Sequence, residues 1–357
     1  MRLAIATDAW YPQVNGVVRT LAATVVELDR RGHEIELITP QRFLTVPMPG
    51  YASIRLAMAP RRGVRRMLDA CRPEIVHIAT EGPIGWSARG WCLSRGVPFT
   101  SAFHTRFPEY AALRTGISAE RFWPIMQRFH APGSAVMVAT ERLGRELAAR
   151  GIARTRLWGR GIDHWLFRPA GEQYPAFAGL PRPIMLNVGR VAPEKNLEAF
   201  LDAPVAGSKV VIGSGPSLGA LQSRYPEALF PGALAGEELA AAYRSADCFV
   251  FPSLTDTFGM VIIEALASGL PVAAFPVAGP LDIVGRHGRG VRGDMPFAVA
   301  ALEDDLALAI GKALRIDRKA AATFGTRFTW ERATDQFLDA IRGAMHRPAA
   351  EREPEPA

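Results

Sequence analysis

Asp256 and Glu264, with seven residues between them, are the residues of this chain whose types and spacing first point to chemistry. The apolar run 248–251 ahead of them is a buried-strand signature, and 259–266 reads as the first turns of a helix with no proline to stop it. One carboxylate therefore falls on a strand-to-helix loop and the other on the helix. A helix beginning near Gly259 turns the backbone N–H groups of Phe258, Gly259, Met260 and Val261 toward that loop, a seat for a sugar hydroxyl or a phosphate oxygen. Glu264, about a turn inside, can accept hydrogen bonds from the vicinal diol of a ribose; it reads equally as a plain helix-face glutamate.

Arg190 and Lys195 form a second pair. They follow an expected strand at 184–188, in Gly189-Arg190-Val191-Ala192-Pro193-Glu194-Lys195-Asn196-Leu197. A strand-to-helix loop with Arg and Lys five residues apart can hold two adjacent phosphates, Arg in a bidentate grip and Lys as a mobile point charge. The next expected strand, 209–212, runs into Gly213-Ser214-Gly215-Pro216, which is not a P-loop because no Gly-Lys-Ser/Thr follows. In the first half, Thr80-Glu81-Gly82-Pro83 and the segment 103–110 both follow strand ends, where an open α/β sheet places its ligand crevice. The second of these gathers His104, Thr105, Arg106, Glu109 and Tyr110.

The scaffold for these loops is written in the alternation around them. Strands are expected at 3–7, 34–39, 54–56, 75–79, 99–102 and 136–139, with helical segments between them, including 19–31 and 141–150, the latter capped by Thr140. That order predicts a mainly parallel sheet covered on both faces. Asn15-Gly16-Val17, between the first strand and helix, lets backbone approach a ligand, yet no G-x-G-x-x-G occurs, which disfavours a dinucleotide oxidoreductase. A length of 357 residues with 48% apolar composition allows two such domains of about 150 residues each.

A net charge of +7, from 42 basic and 35 acidic residues, implies attraction to an anion: a nucleotide diphosphate, an acidic lipid surface or nucleic acid. Nucleic acid is disfavoured, since the arginines are scattered and no recognised module accompanies them. Cys71, Cys92 and Cys248 are odd in number and far apart, so neither a disulfide framework nor a zinc site is indicated, and a reducing, cytoplasmic setting is expected. The longest uncharged run, 265–281, holds three prolines and cannot form one membrane-spanning helix. Membrane contact would be peripheral. Arg61, Arg62, Arg65 and Arg66 read equally as a solvated face and as a patch for acidic headgroups. The stretch 118–130 spaces Phe122, Ile125, Met126 and Phe129 along one helical face, with a kink expected at Pro124; such stripes serve as core or as a membrane or acceptor dock.

Taken together, the acidic-x7-acidic element, the Gly-Arg…Lys-Asn loop, the second glycine loop, His104-Thr105-Arg106-Phe107-Pro108-Glu109-Tyr110 and Gly161-Ile162-Asp163 resemble the retaining nucleotide-sugar glycosyltransferases of family 4, over nearly all of residues 1–346. The resemblance implies an α/β GT-B fold of two facing Rossmann-like domains with parallel sheets and an active site in the cleft. The expected domains are 1–168, binding acceptor and joined by a C-terminal crossover helix at 331–346, a linker at 169–183, and 184–330, binding the nucleotide sugar, with a disordered tail at 347–357. It implies Asn15, Gly16, Gly189, Gly213, Gly215 and Glu264 as donor contacts, His104 near the transferred sugar, and Glu81, Thr105, Arg106 and Tyr110 toward the acceptor. The family's first acidic residue is usually Glu; here Asp256 takes its place against the donor sugar. The implied reaction uses no metal or cofactor, since Arg190 and Lys195 stabilise the leaving diphosphate, and no Asp-x-Asp motif occurs. The run at 104–110 is similar to members that glycosylate lipids or transfer mannose. The expectation is transfer of a hexosyl unit, of mannose or glucose, galactose or glucuronate type, to a lipid or lipid-linked acceptor at the inner face of the plasma membrane. A soluble sugar acceptor, a nucleotide-sugar 2-epimerase and a non-enzymatic basic membrane-surface protein remain the alternatives.

Overall fold

The computed structural model describes residues 1–13, 15–48, 51–256 and 258–346. The expected tail at 347–357 lies outside them. The chain divides into two compact units: Met1–Gly161 together with the chain from Trp330 onward, and Ile162–Thr329.

The first unit begins with β1 (Arg2–Ala6), α1 (Gly16–Arg30) and β2 (Glu34–Ile38), followed by a hairpin, β3 (Thr45–Met48) and β4 (Tyr51–Ala57). Then come α2 (Arg61–Cys71), β5 (Ile75–Ile78), α3 (Pro83–Arg95), β6 (Phe99–Phe103), α4 (Phe107–Thr115), α5 (Trp123–His130), β7 (Ala135–Val138), α6 (Glu141–Ala149) and β8 (Thr155–Leu157). The sheet is parallel throughout, in the order β2-β1-β5-β6-β7-β8. Period-two alternation fixes its faces: Leu3 and Ile5 of β1 pack with Leu21, Met137 and Trp158, while Ala4 and Ala6 pack with Ile38, Leu68 and Ile78.

Two expectations are corrected here. The strand expected at 54–56 does not join the parallel sheet; it is part of β4, which pairs antiparallel with β3, Val46 opposite Leu56. The stretch 118–130 is not one kinked helix: a short 3₁₀ turn at Ala119–Arg121 precedes α5, and Pro124 sits in the first turn of α5, where its missing N–H costs nothing. Of the stripe, Met126 and Phe129 are buried, with Trp123 beside them, while Phe122 is half-buried and Ile125 is 45% exposed, so half of it is core.

The second unit contains β9 (Ile184–Val188), α7 (Leu197–Leu201), β10 (Ser208–Ile212), α8 (Leu218–Arg224), β11 (Leu229–Gly232), α9 (Gly236–Ser245), β12 (Cys248–Phe251), α10 (Met260–Ala267), β13 (Val272–Ala274), α11 (Ala278–Val284), β14 (Ala300–Leu302), α12 (Leu306–Ala313) and α13 (Arg318–Gly325). Its parallel sheet runs β11-β10-β9-β12-β13-β14, the Rossmann order, with the topological switch between β9 and β12. Met185, Val211, Phe200, Val250 and Ile310 belong to its core. Glu303, Asp304 and Asp305 are not helical; Asp305 caps α12 through the N–H groups of Ala307 and Leu308.

The segment expected as a linker, 169–183, packs on this unit instead. Arg244 Nε donates to Glu172 O at 2.9 Å, Tyr174 N donates to Ser245 Oγ at 2.7 Å, and Phe177 is buried. The last helix, α14 (Trp330–Met345), belongs to the first unit, where Phe337, Leu338 and Ile341 complete the core around Leu3 and Ile5. Among the described residues no helix is long and apolar enough to cross a membrane.

Candidate active site

In the second unit the switch between β9 and β12 brings the two charged pairs together. The loop after β9 turns through Pro193–Lys195, with Asn196 left-handed at φ 52°. Asn196 Nδ2 donates to Pro252 O at 3.1 Å, which ties this loop to the one after β12. Lys195 Nζ then lies 2.6 and 2.9 Å from the two oxygens of Asp256. Arg190 pairs with Glu194, one turn further on. Both cations read from the sequence are therefore held by carboxylates at one strand-end loop.

Gly213 and Gly215 act on this loop by what they lack. A Cβ on Gly213 would meet Gly189 O at 1.8 Å, and one on Gly215 would meet Val191 O at 2.2 Å. Their immediate role is to let the β10 loop lie against the Gly189–Val191 backbone, whose Val191 N donates to Ser214 O at 2.9 Å.

Gly259 stands at φ 98° ahead of α10, with Phe258 buried before it and Met260 and Val261 half-buried in the first turn. The rest of α10 is buried all round, Glu264 included at 1% exposure. A carboxylate in that setting needs partners. One is Tyr243, whose hydroxyl donates to Glu264 Oε2 at 3.1 Å, and whose ring packs edge-on against Phe167. Glu264 is thus no surface glutamate.

In the first unit the switch lies between β1 and β5, and Asp8 marks it. Asp8 accepts from the N–H groups of Ile84 at 2.9 Å and Gly85 at 3.2 Å, capping α3 from another strand. Thr80 closes the arrangement: its hydroxyl donates to Asp8 Oδ2 at 3.1 Å and accepts Asp8 N–H at 2.7 Å. Burial pushes the Asp8 carboxyl up from 3.8 to about 6, against the opposing pull of those donors. The folded chain therefore keeps a proton between about pH 4 and pH 6 that the unfolded chain has released, so this group's contribution to stability falls as pH rises through that window. The expected size is on the order of 3 kcal/mol. Urea unfolding across the window should show a shallower fall in Asp8→Asn than in the parent chain; equal slopes would contradict it.

Asn15 caps α1, its Oδ1 accepting from Val17 and Val18 at 3.0 Å each, and Gly16 opens that helix, exposed. Glu81 Oε1 lies 3.2 Å from His130 Nε2, and His130 Nδ1 lies 2.8 Å from Ser101 Oγ. Arg106 grips Glu146 of α6 with both terminal nitrogens, at 2.7 and 2.6 Å, so its fork serves the fold. Thr105 is exposed and Tyr110 half-buried on α4. His104 is buried, with Nδ1 3.0 Å from Arg160 Nη2, and burial followed by the Arg160 charge holds its pKa well below the ordinary histidine value.

Residues 14–166 match glycosyltransferase family 4 and residues 182–315 match glycosyl transferases group 1. The chain is 31% identical to a GDP-mannose-dependent alpha-mannosyltransferase of Mycobacterium tuberculosis, over 98% of this chain and 99% of that one. This chain belongs to glycosyltransferase family 4. It is also 29% identical to a sulfoquinovosyl transferase of Arabidopsis thaliana, over 82% of this chain and 61% of that one. Among solved structures, sucrose-phosphate synthase from Thermosynechococcus elongatus superposes with a TM-score of 0.72 at 22% identity, covering 96% of this chain and 98% of that one. The fold of this family 4 glycosyltransferase is GT-B, two Rossmann-like domains.

Sequence reasoning passed over Asp8 and Thr80 at the first switch point, and Glu194, Tyr243 and Arg160 as the partners of Arg190, Glu264 and His104. Asp8 had a signal, a carboxylate directly after an apolar strand. Tyr243 and Arg160 had none, because their partners Glu264 and His104 lie 21 and 56 residues away. Among the described residues, no three His, Cys, Asp or Glu gather where they could hold a metal ion.

Proposed function

We propose that this family 4 enzyme is a retaining transferase that moves a hexosyl unit, mannose from GDP-mannose foremost, to a lipid or lipid-linked acceptor without a metal. The observation that carries the donor is the end-to-end likeness to the mycobacterial mannosyltransferase named for GDP-mannose. A Corynebacterium glutamicum relative of the same name, 28% identical over 95% of this chain and 88% of that one, supports it. A 26% identical relative named alpha-monoglucosyldiacylglycerol synthase, from Streptococcus pneumoniae, supports a lipid acceptor; the match covers 77% of this chain and 71% of that one.

As the donor's glycosidic bond breaks, charge grows on the leaving diphosphate. Arg190 and Lys195, fixed at a strand-end loop, are the groups to stabilise it, work a metal does elsewhere. Lys195 exchanges Asp256 for a phosphate oxygen, which leaves Asp256 to accept from a sugar hydroxyl. Glu264 takes the ribose hydroxyls. Retention on one face lets the leaving phosphate receive the acceptor's proton, so no protein base is needed; the low pKa of His104 supports that.

A nucleotide-release screen in chelator, with GDP-mannose, UDP-glucose, UDP-galactose and UDP-glucuronate against lipid and soluble acceptors, tests the reading. Acceptor-dependent GDP release with lipid acceptors is expected. Release from UDP donors alone would replace the donor, turnover on soluble acceptors alone would replace the acceptor, donor consumption without acceptor would indicate an epimerase, and no turnover a binding protein.

The cytoplasmic membrane face is reached, in this reading, through α2. Arg61, Arg62, Arg65 and Arg66 are all exposed on its first turns, and Leu44 and Met58 nearby are 83% and 56% exposed. Met58 N donates to Leu44 O at 2.8 Å, so the two apolar side chains sit on one small platform. Basic attraction and shallow insertion together make a reversible anchor. Charge reversal at the four arginines should abolish co-sedimentation with anionic vesicles at low salt, at about 1 kcal/mol per residue. Unchanged binding by the reversed protein, or none by the parent, would remove the anchor.

A further inference from the structure

Arg160 is the buried cation whose purpose the reaction has not yet claimed. It is 9% exposed, and among the described residues none of its hydrogen-bond partners is a carboxylate. Nη1 donates to Trp158 O at 2.6 Å and Gly159 O at 3.0 Å, and the guanidinium lies 5.3 Å from the Trp158 ring centroid. These contacts fix the group just beyond β8 and leave Nη2 aimed at one atom, Nδ1 of His104, at 3.0 Å. Keeping a guanidinium inside a protein is costly unless its donors are all used. Here one of them is used on the residue at the end of β6.

The chemistry of that contact is one-sided. A guanidinium has donors and no acceptor, so Nδ1 must present its lone pair, and a neutral imidazole with a bare Nδ1 carries its proton on Nε2. The Trp158 ring, 5.4 Å from the His104 ring, flanks the imidazole. The charged and titratable groups that bear on it are Arg160, His77 of β5 and His130 of α5, and a charge on any of them opposes one on His104. The His77 ring is itself buried, with Nδ1 2.9 Å from Thr100 Oγ1, and its pKa is pushed down to about 3.

We propose that Arg160 is a positioning residue for glycosyl transfer: by donating to Nδ1 it locks His104 as the Nε2–H tautomer, so that His104 meets substrate only as a neutral hydrogen-bond donor. This rests on the reading of His104 as a substrate-facing residue. It also separates two kinds of replacement. A side chain that offers an N–H where Nε2 stood keeps the function, and a carboxylate at the same place does not.

Nuclear magnetic resonance of ring-¹⁵N-histidine protein tests the lock without any substrate, the His104 signals being assigned by their loss in His104→Gln. Expected in the parent chain is an unprotonated Nδ1 and a protonated Nε2, unchanged from about pH 5 to pH 8. Arg160→Met should spread the proton over both nitrogens and lower kcat by a factor on the order of ten to a hundred, the range for removing a group that orients an imidazole. Its kcat should also gain a dependence on pH on the acid side. Arg160→Gln, which retains an N–H, should recover part of both. His104→Gln should keep more activity than His104→Glu. A protonated Nδ1 in the parent chain, or an unchanged spectrum in a folded Arg160→Met, would overturn the proposal. Full turnover by His104→Ala, with the spectra as expected, would instead remove the substrate-facing role of His104 and with it the catalytic meaning of the lock.

Discussion

Lys195→Ala is expected to lower kcat by a factor on the order of 10² or more, the cost of losing one preorganised donor to developing charge, and Arg190→Ala by a similar factor. The structure adds a second effect to the Lys195 change. Its ammonium neutralises Asp256 at 2.6 Å, so alanine there leaves a bare carboxylate beside the place where a diphosphate must come. Repulsion should then raise the donor KM in Lys195→Ala, and a second change, Asp256→Asn, should recover part of that rise while kcat stays low. Steady-state kinetics of the two single variants and the double variant make the measurement. Activity within about twofold of the parent in both Lys195→Ala and Arg190→Ala would end the diphosphate clamp as an idea.

Glu264→Gln is the second large effect, with an expected loss of about 1.5–3 kcal/mol in transition-state binding, the range for a hydrogen bond to a charged group. The amide oxygen can still accept from Tyr243 OH, so the buried contact at 3.1 Å survives and the fold with it. What disappears is the charge that a diol would meet. A donor with a 2′-deoxyribose should therefore be discriminated against by the parent enzyme and hardly at all by Glu264→Gln. Equal discrimination by both would move the ribose elsewhere.

Much of the architecture was legible because local signals agreed. Cys248–Phe251 is an uninterrupted apolar run and Ile184–Val188 is broken only by Asn187, and both are strands to the residue. Thr140 has the type and place of a cap and is one. The hairpin at 45–57 was missed because its strands carry Pro47 and charged Arg55 and do not join the sheet their spacing evokes. The stripe at 118–130 was ambiguous for a general reason: a face that packs on a core and a face that meets lipid have the same period, and only the surroundings of Trp123, Met126 and Phe129 distinguish them. The same limit applied to charge. Residue type told which groups could meet a phosphate, but that Arg106 is taken by Glu146 and Lys195 by Asp256 depends on partners 40 and 61 residues away in the chain.

The place of α14 has a consequence for how the chain is made. Residues 162–329 are continuous and can close their own sheet as soon as they have left the ribosome. The earlier unit can form its sheet but not cover one face of it, because Phe337, Leu338 and Ile341, which pack with Leu3 and Ile5, are translated after the second unit. The domain whose synthesis starts first thus reaches its final form second, with an apolar sheet face waiting in the meantime for the chaperones of the cell. A stop codon just after Thr329 would take nothing from the second unit, yet it would leave the first one uncovered and prone to aggregate.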